Sequence, residues 1–134
     1  MQLWRVIAVF GAVAGFACPA SAHHSFAMFD REKTITVSGV VKEFMWASPH
    51  VLIEVVTDGQ RGDSGLWSIE GNAPSVLARG GWTSRSLRPG DKVSIAIHPS
   101  KSGSMQGLLA DERELLVNGQ PAKGVQWLVP LGAE

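Results

Sequence analysis

A chain of 134 residues, 45% apolar and 18% charged, with twelve basic residues against twelve acidic, has room for one folded domain and no charge excess to attract a polyanion. Capture of nucleic acid, DNA or RNA, draws its affinity mainly from phosphate neutralisation, and no basic cluster replaces the missing net charge, so that class of function is excluded first. The ordinary apolar fraction excludes disorder outside the ends.

Residues 1–22 have the form of a cleaved export signal. Met1 to Arg5 give a short positive start, Val6 to Ala17 an apolar run, and Ala20-Ser21-Ala22 a small-residue site expected to be cut after Ala22. The run is shorter than the about 20 apolar residues a membrane span needs, and no later stretch approaches that length. The expected product is a periplasmic or secreted protein with no membrane span. Cys18, the single cysteine, leaves with the signal, and Gly15-Phe16-Ala17 before it lacks the aliphatic residue that lipid attachment favours. Loss of Arg5 leaves eleven basic residues against twelve acidic, a charge of about −1. Without thiols, the mature domain must be stable by packing alone.

An N-terminal arm, residues 23–33, precedes the first strand. From Thr34 to Trp46 the text "TITVSGVVKEFMW" is rich in β-branched and aromatic residues. Ile35 and Val37 share one parity; Val40, Phe44 and Trp46 share the other. The phase change at Gly39 predicts a β-bulge that lets one strand serve two sheets or turn a barrel corner. After "ASP", the run "HVLIEVVT" alternates Val51, Ile53 and Val55 against Leu52, Glu54 and Val56, a second strand paired to the first. A polar loop leads to "LWSIEG", a third. In "NAPSVLARGG", Asn72 is a candidate cap, Pro74 suits a first helical turn and Gly80-Gly81 stop the helix after about two turns. "LRPGDKVSIAIH" reads as a Pro-Gly turn feeding a strand with Val93, Ile95 and Ile97 on one face. "GLLADERELLVNG" is the last strand candidate, weakened by its charged centre, and residues 118–134 read as an irregular tail with Trp127 packed back.

Three strands, a short helix and two strands is the element order of an OB-like, five-stranded Greek-key barrel. The fold class expected is therefore all-β with one short helix, the barrel spanning 34–117, with a plain antiparallel sandwich as the alternative. The segments "AHHSF", "FMWASPHV", "WSIEG", "LARGGWT" and "LRPGDKVSIAIHP" together resemble a bacterial family of small exported proteins defined as a domain of unknown function. The resemblance covers residues 23 to about 117. Its members carry the pattern W-x-N-P-H, and here Ser48 replaces the Asn in Trp46-Ala47-Ser48-Pro49-His50. It implies export and a β-rich domain, and no established activity.

The chemistry-bearing candidates are the four histidines. Cutting after Ala22 gives His23 a free amine beside its ring Nδ1, two ligands from one residue, similar to the "histidine brace" of certain exported copper proteins. His24 offers a second chelate through its ring, the amine and the intervening amide. Imidazole and amine nitrogens in tetragonal arrangement are what Cu(II) prefers. In the OB order, His50 starts the second strand and His98 ends the fourth, so both are expected on one rim, the usual ligand face. Met45, Trp46 and Met105 lie in or beside the same two loops, and the thioethers suit Cu(I). The eleven-residue arm spans up to about 36 Å, enough to bring all four histidines together. Against this stand plain structural roles: a solvated His-His arm, histidines bonding turn carbonyls, and methionines and tryptophans that fill the core.

"GDSG" at 62–65 matches the nucleophile sequence of trypsin-like proteases, but those need two barrels and a histidine and aspartate around the serine; here Ser64 sits in a turn-forming loop. Glu54, Glu70, Asp91, Asp111 and Glu112 form no acid/base pair, and no phosphate loop or cysteine knuckle occurs. The leading expectation is an exported OB-like binding or accessory protein that captures copper through His23, His24, His50 and His98. A metal-free protein-interaction module, meeting a periplasmic partner protein, is the alternative, and a copper-dependent oxidase built on the brace is the third reading.

Overall fold

In a computed structural model, residues 26–59 and 64–122 are described. The export signal, His23, His24 and Trp127 lie outside the described residues. Seven strands are present among them: β1 (Ile35–Met45), β2 (Leu52–Thr57), β3 (Gly65–Glu70), β4 (Lys92–Pro99), β5 (Gln106–Leu109), β6 (Leu116–Val117) and β7 (Gln120–Pro121), with one helix, α1 (Pro74–Arg79), between β3 and β4. No described helix is long and apolar enough to cross a membrane.

Strands β1 to β5 close into a barrel in the order β1-β2-β3-β5-β4, with β4 returning to β1. All these pairings are antiparallel except β3 with β5, which is parallel. With the helix between β3 and β4, this is the OB topology expected from the element order, and the sandwich alternative falls away. Closure leaves none of the five with a free edge along its whole length.

Alternation along each strand fills the interior. Ile53 and Val55 from β2, Trp67 and Ile69 from β3, and Val93, Ile95 and Ile97 from β4 are buried together with Val37, Val41 and Leu109. At about 25 cal/mol per Å² of apolar surface removed from water, this core is the main source of stability. One barrel end is closed by Leu77 of α1 with Trp82 and Leu87, all buried.

The bend in β1 falls differently from its sequence expectation. Its first half pairs with β4, from Ile35 opposite Ile97 to Val40 opposite Lys92, and its second half with β2, from Val40 opposite Val56 to Met45 opposite Leu52. The register shift lies between Val41 and Glu43, not at Gly39. Inward parity therefore runs through Val37 and Val41 before switching to Phe44, and Val40 faces out at 40% exposure. Gly39 serves the corner by close approach: a Cβ there would stand 2.2 Å from the Val56 carbonyl oxygen. The bulge also answers a charge problem. Register sets Glu43 opposite Glu54, and Lys42, the extra residue, donates from Nζ to Glu54 Oε2 at 2.9 Å; an exposed pair of this kind contributes at most about 1 kcal/mol.

Three further differences follow from local chemistry. The helix is capped by Ala73, in extended conformation and without a side-chain bond, while Asn72 uses its carbonyl to accept Val51 N–H at 3.2 Å. The helix stops where expected: Gly80 is its C-cap, and Gly81 takes a φ of 86° that β-carbon residues avoid. The charged "DERE" breaks the last candidate strand, since Asp111 accepts the Arg113 N–H at 2.8 Å and starts a 3-10 turn at Glu112–Glu114. Beyond it, the β6–β7 hairpin adds to the start of β4, so regular pairing continues to Pro121, into the segment read as tail.

Replacing Gly39→Ala should lower unfolding free energy by about 1–3 kcal/mol, the usual cost of an unaccommodated methyl. A fall in urea midpoint with unchanged slope is the expected result, because the clash is with backbone that holds the β1–β2 ladder.

Candidate functional site

Residues 26–33 fold back along the barrel. Phe26–Met28 forms a 3-10 turn, Phe29 is buried and bridges to Ser100, Asp30 N–H donates to the Pro99 carbonyl at 2.9 Å, and Lys101 N–H donates to the Met28 carbonyl at 3.0 Å. Phe29 anchors the segment because a large aromatic removes most apolar area from water per residue fixed.

This course brings Phe26 to the end of the barrel that carries the two described histidines. Its ring meets that of His50 edge-on, with centroids 5.7 Å apart and planes at 75°. The same ring lines a cleft of ≈190 Å³ with Arg31, Asn72, His98, Leu108 and Glu112. Sheet register agrees: His98 lies opposite Leu108, which lies opposite Glu70, which lies opposite Leu52, two residues from His50. His50 and His98 thus occupy one end of the barrel.

The two imidazoles are held differently. Nδ1 of His98 is 2.9 Å from the Lys33 carbonyl oxygen; a carbonyl only accepts, so Nδ1 carries the proton and the neutral ring keeps its lone pair on Nε2. Fixing one nitrogen on a backbone carbonyl is how proteins orient a histidine that binds through the other. Nδ1 of His50 is buried and has no hydrogen-bond partner among the described residues.

The two thioethers part company: Met45 ends at the register position of this rim, and Met105 does not. Met45 ends β1 opposite Leu52 and is 36% exposed. Met105 is also exposed, but its carbonyl accepts Ser68 N–H at 3.0 Å and its sulfur packs over Gly65. Gly65 and Glu70 are at opposite ends of β3, roughly 16 Å apart at about 3.3 Å per residue, so Met105 lies away from the rim of His50. Trp46 is half-buried against the core, with its ring edge-on to Phe44. The loop carrying Met105 is braced by a chain of hydroxyls, Ser100 to Ser102 at 2.9 Å and Ser102 to Ser104 at 3.0 Å.

Among the described residues no three His, Cys, Asp or Glu side chains group as a metal site. Residues that sequence reasoning passed over are Phe26, Arg31 and Asn72, and their signal was faint: an aromatic in a polar arm, and an Asn that also suits a helix cap.

Asp111 steadies the Glu112 side of the cleft. Its carboxyl lies below the usual carboxylate range, chiefly because the Arg113 guanidinium bonds it, with help from the Arg113 backbone N–H and against partial burial.

The family model described as "Family of unknown function (DUF6152)" matches residues 12–112. No curated protein matches the chain. Among solved structures, the chain is similar to a mitochondrial single-stranded DNA binding protein of S. cerevisiae, Rim1, at 10% identity and a TM-score of 0.47, over 66% of this chain and 95% of that one.

Two outcomes are expected. Replacing His98→Ala frees the Lys33 carbonyl, so tryptic cleavage after Arg31 and Lys33 should quicken between about twofold and about tenfold, the Boltzmann factor of one net hydrogen bond. Because the Asp111 pKa is depressed on folding, its contribution is complete above the ordinary value of 3.8 and is lost as pH falls through the lower folded value. The Arg113 amide resonance should report that acid step, and Asp111→Asn should remove it.

Proposed function

The chain belongs to DUF6152, and from that premise and the geometry of the rim we propose that it is an exported OB-like binding module that captures copper at the histidine end of its barrel. The observation that carries this reading is the return of the arm, with Phe26 edge-on to His50 and on the wall of the cleft that His98 lines. Phe26 is three positions after His23 in the sequence, a tether of no more than about 11 Å. With the described residues offering two imidazoles there and no third ligand group, the remaining nitrogens are those of His23 and His24. Cleavage after Ala22 would create the amine, and export would deliver the protein to the periplasm or beyond. His98 would bind through Nε2, whose lone pair its bond to Lys33 preserves. Acid would release the ion, because an imidazolium has no lone pair to give.

A metal-free interaction module is favoured by a different observation. Val40, Val56 and Leu66 are 40%, 45% and 41% exposed and stand in register across β1, β2 and β3. Three aliphatic side chains in one row on the outer face suit a protein partner.

Titration of tag-free protein beginning at His23 with Cu(II) tests the first reading. Binding tighter than about 1 µM is expected, weakened at least about tenfold by His50→Ala with His98→Ala, and by an extra residue before His23. Equal affinity in the double variant, or an exported mass that does not begin at His23, would overturn it. Val56→Lys should leave the titration unchanged while removing any docking on the outer face.

A further inference from the structure

The opposite end of β4 carries a second concavity with other chemistry. Lys92 and His98 stand six residues apart on that strand, roughly 20 Å at about 3.3 Å per residue. Beside its first residues a cleft of ≈710 Å³ is lined by Thr83, Arg85, Ser86, Arg88, Asp91 and Asn118. This volume falls in the range of small-molecule sites, about 300–1,000 Å³.

The basic wall is rigid for local reasons. Trp82 and Leu87, both 2% exposed, pin the ends of the segment 83–86 into the core. Between them Thr83 N–H donates to Ser86 Oγ at 2.9 Å, Arg85 N–H to Thr83 Oγ1 at 3.2 Å, and Ser86 N–H to the Thr83 carbonyl at 3.0 Å. The turn therefore holds its own backbone and presents Arg85 outward. Arg88 follows Leu87 directly, and its N–H donates to Asp91 Oδ2 at 2.8 Å.

Asp91 is the one carboxylate in this lining, and its oxygens are engaged elsewhere. Oδ2 accepts the Arg88 backbone N–H, and Oδ1 accepts Asn118 Nδ2 at 3.1 Å. Asn118 in turn accepts Lys92 N–H at 3.0 Å, joining the hairpin to β4. Asp91 thus acts as a staple between the two walls of the cleft. Neither the Arg85 nor the Arg88 guanidinium has an ion-pair partner among the described residues. Two uncommitted guanidinium forks beside a concave surface match the planar oxygens of a carboxylate or the tetrahedral oxygens of a phosphate. Val117 and Pro121 supply an apolar wall on the hairpin side.

We propose that this cleft binds a small organic oxyanion, its carboxylate or phosphate group gripped by Arg85 and Arg88 and its body resting on Val117 and Pro121. The site is independent of the histidine end and stands whether or not that end takes a metal.

Calorimetric titration of the full mature chain at low ionic strength, with citrate, glucose 6-phosphate and inorganic phosphate as separate probes, tests the assignment. At least one organic probe should bind tighter than about 1 mM, and the citrate and sugar-phosphate arms decide between the two head groups. Arg85→Gln with Arg88→Gln should weaken that probe by about tenfold or more, the loss typical of hydrogen bonds to charged groups. Arg85→Lys with Arg88→Lys, which keeps the charges and loses the forks, should fall between. Lys42→Gln, which removes a cation elsewhere on the barrel, should change nothing. No organic probe binding tighter than about 1 mM, undiminished binding in the Gln pair, or equal weakening by Lys42→Gln would overturn the site.

Discussion

Strand β1 hydrogen-bonds to β4 with its first half and to β2 with its second, and the barrel exists because one segment does both. The corner must bring backbone close to backbone at Gly39 and then discard a residue at the bulge to turn its inward face. Where that corner fails, β4 loses a neighbour along most of its length, the interior opens, and Ile95 and Ile97 face water. Both candidate sites depend on β4, so both depend on this turn.

The barrel's two ends differ because β4 meets different neighbours at each. At its C-terminal end it pairs with β5 and with the returning arm, which brings Phe26 and the two histidines together. At its N-terminal end it pairs with the β6–β7 hairpin, which stands across from the arginine-bearing loop. One end thus carries imidazole nitrogens, the other guanidinium charge. Those are complementary chemistries, one suited to a soft or borderline cation and one to an anion. Their separation by nearly the whole strand keeps the electrostatics of one end from reaching the other, since exposed charges are screened over about 8–10 Å at ordinary salt.

Much of the fold was legible along the chain because strand alternation is a local property. Val51, Ile53 and Val55 announced an inward face and occupy it; Val93, Ile95 and Ile97 did the same. Pro74 and Gly80-Gly81 bounded the helix correctly because each acts on its own φ. The position of the bulge was misread. Val40 and Val41 are both apolar, and only the pairing with Val56 and Val55 decides which of them faces in. "GLLADERELLVNG" misled for a related reason, since its apolar ends belong to two different strands joined by a turn that Asp111 nucleates.

By itself, the sequence determined a β-rich barrel in OB element order, with histidines at the mouths of two loops on one rim, because periodicity, turn chemistry and element order are written residue by residue. Only the tertiary structure decided what meets what. It set Phe26 against His50, gave the Nδ1 proton of His98 to a carbonyl sixty-five residues away in the arm, sent Met105 to the far end of β3, and left Arg85 and Arg88 without an ion pair among the described residues, across from a hairpin. Contacts between distant residues come from strand register and from the closure of β1 on β4, and no local pattern encodes a distance between segments that meet only when the barrel closes.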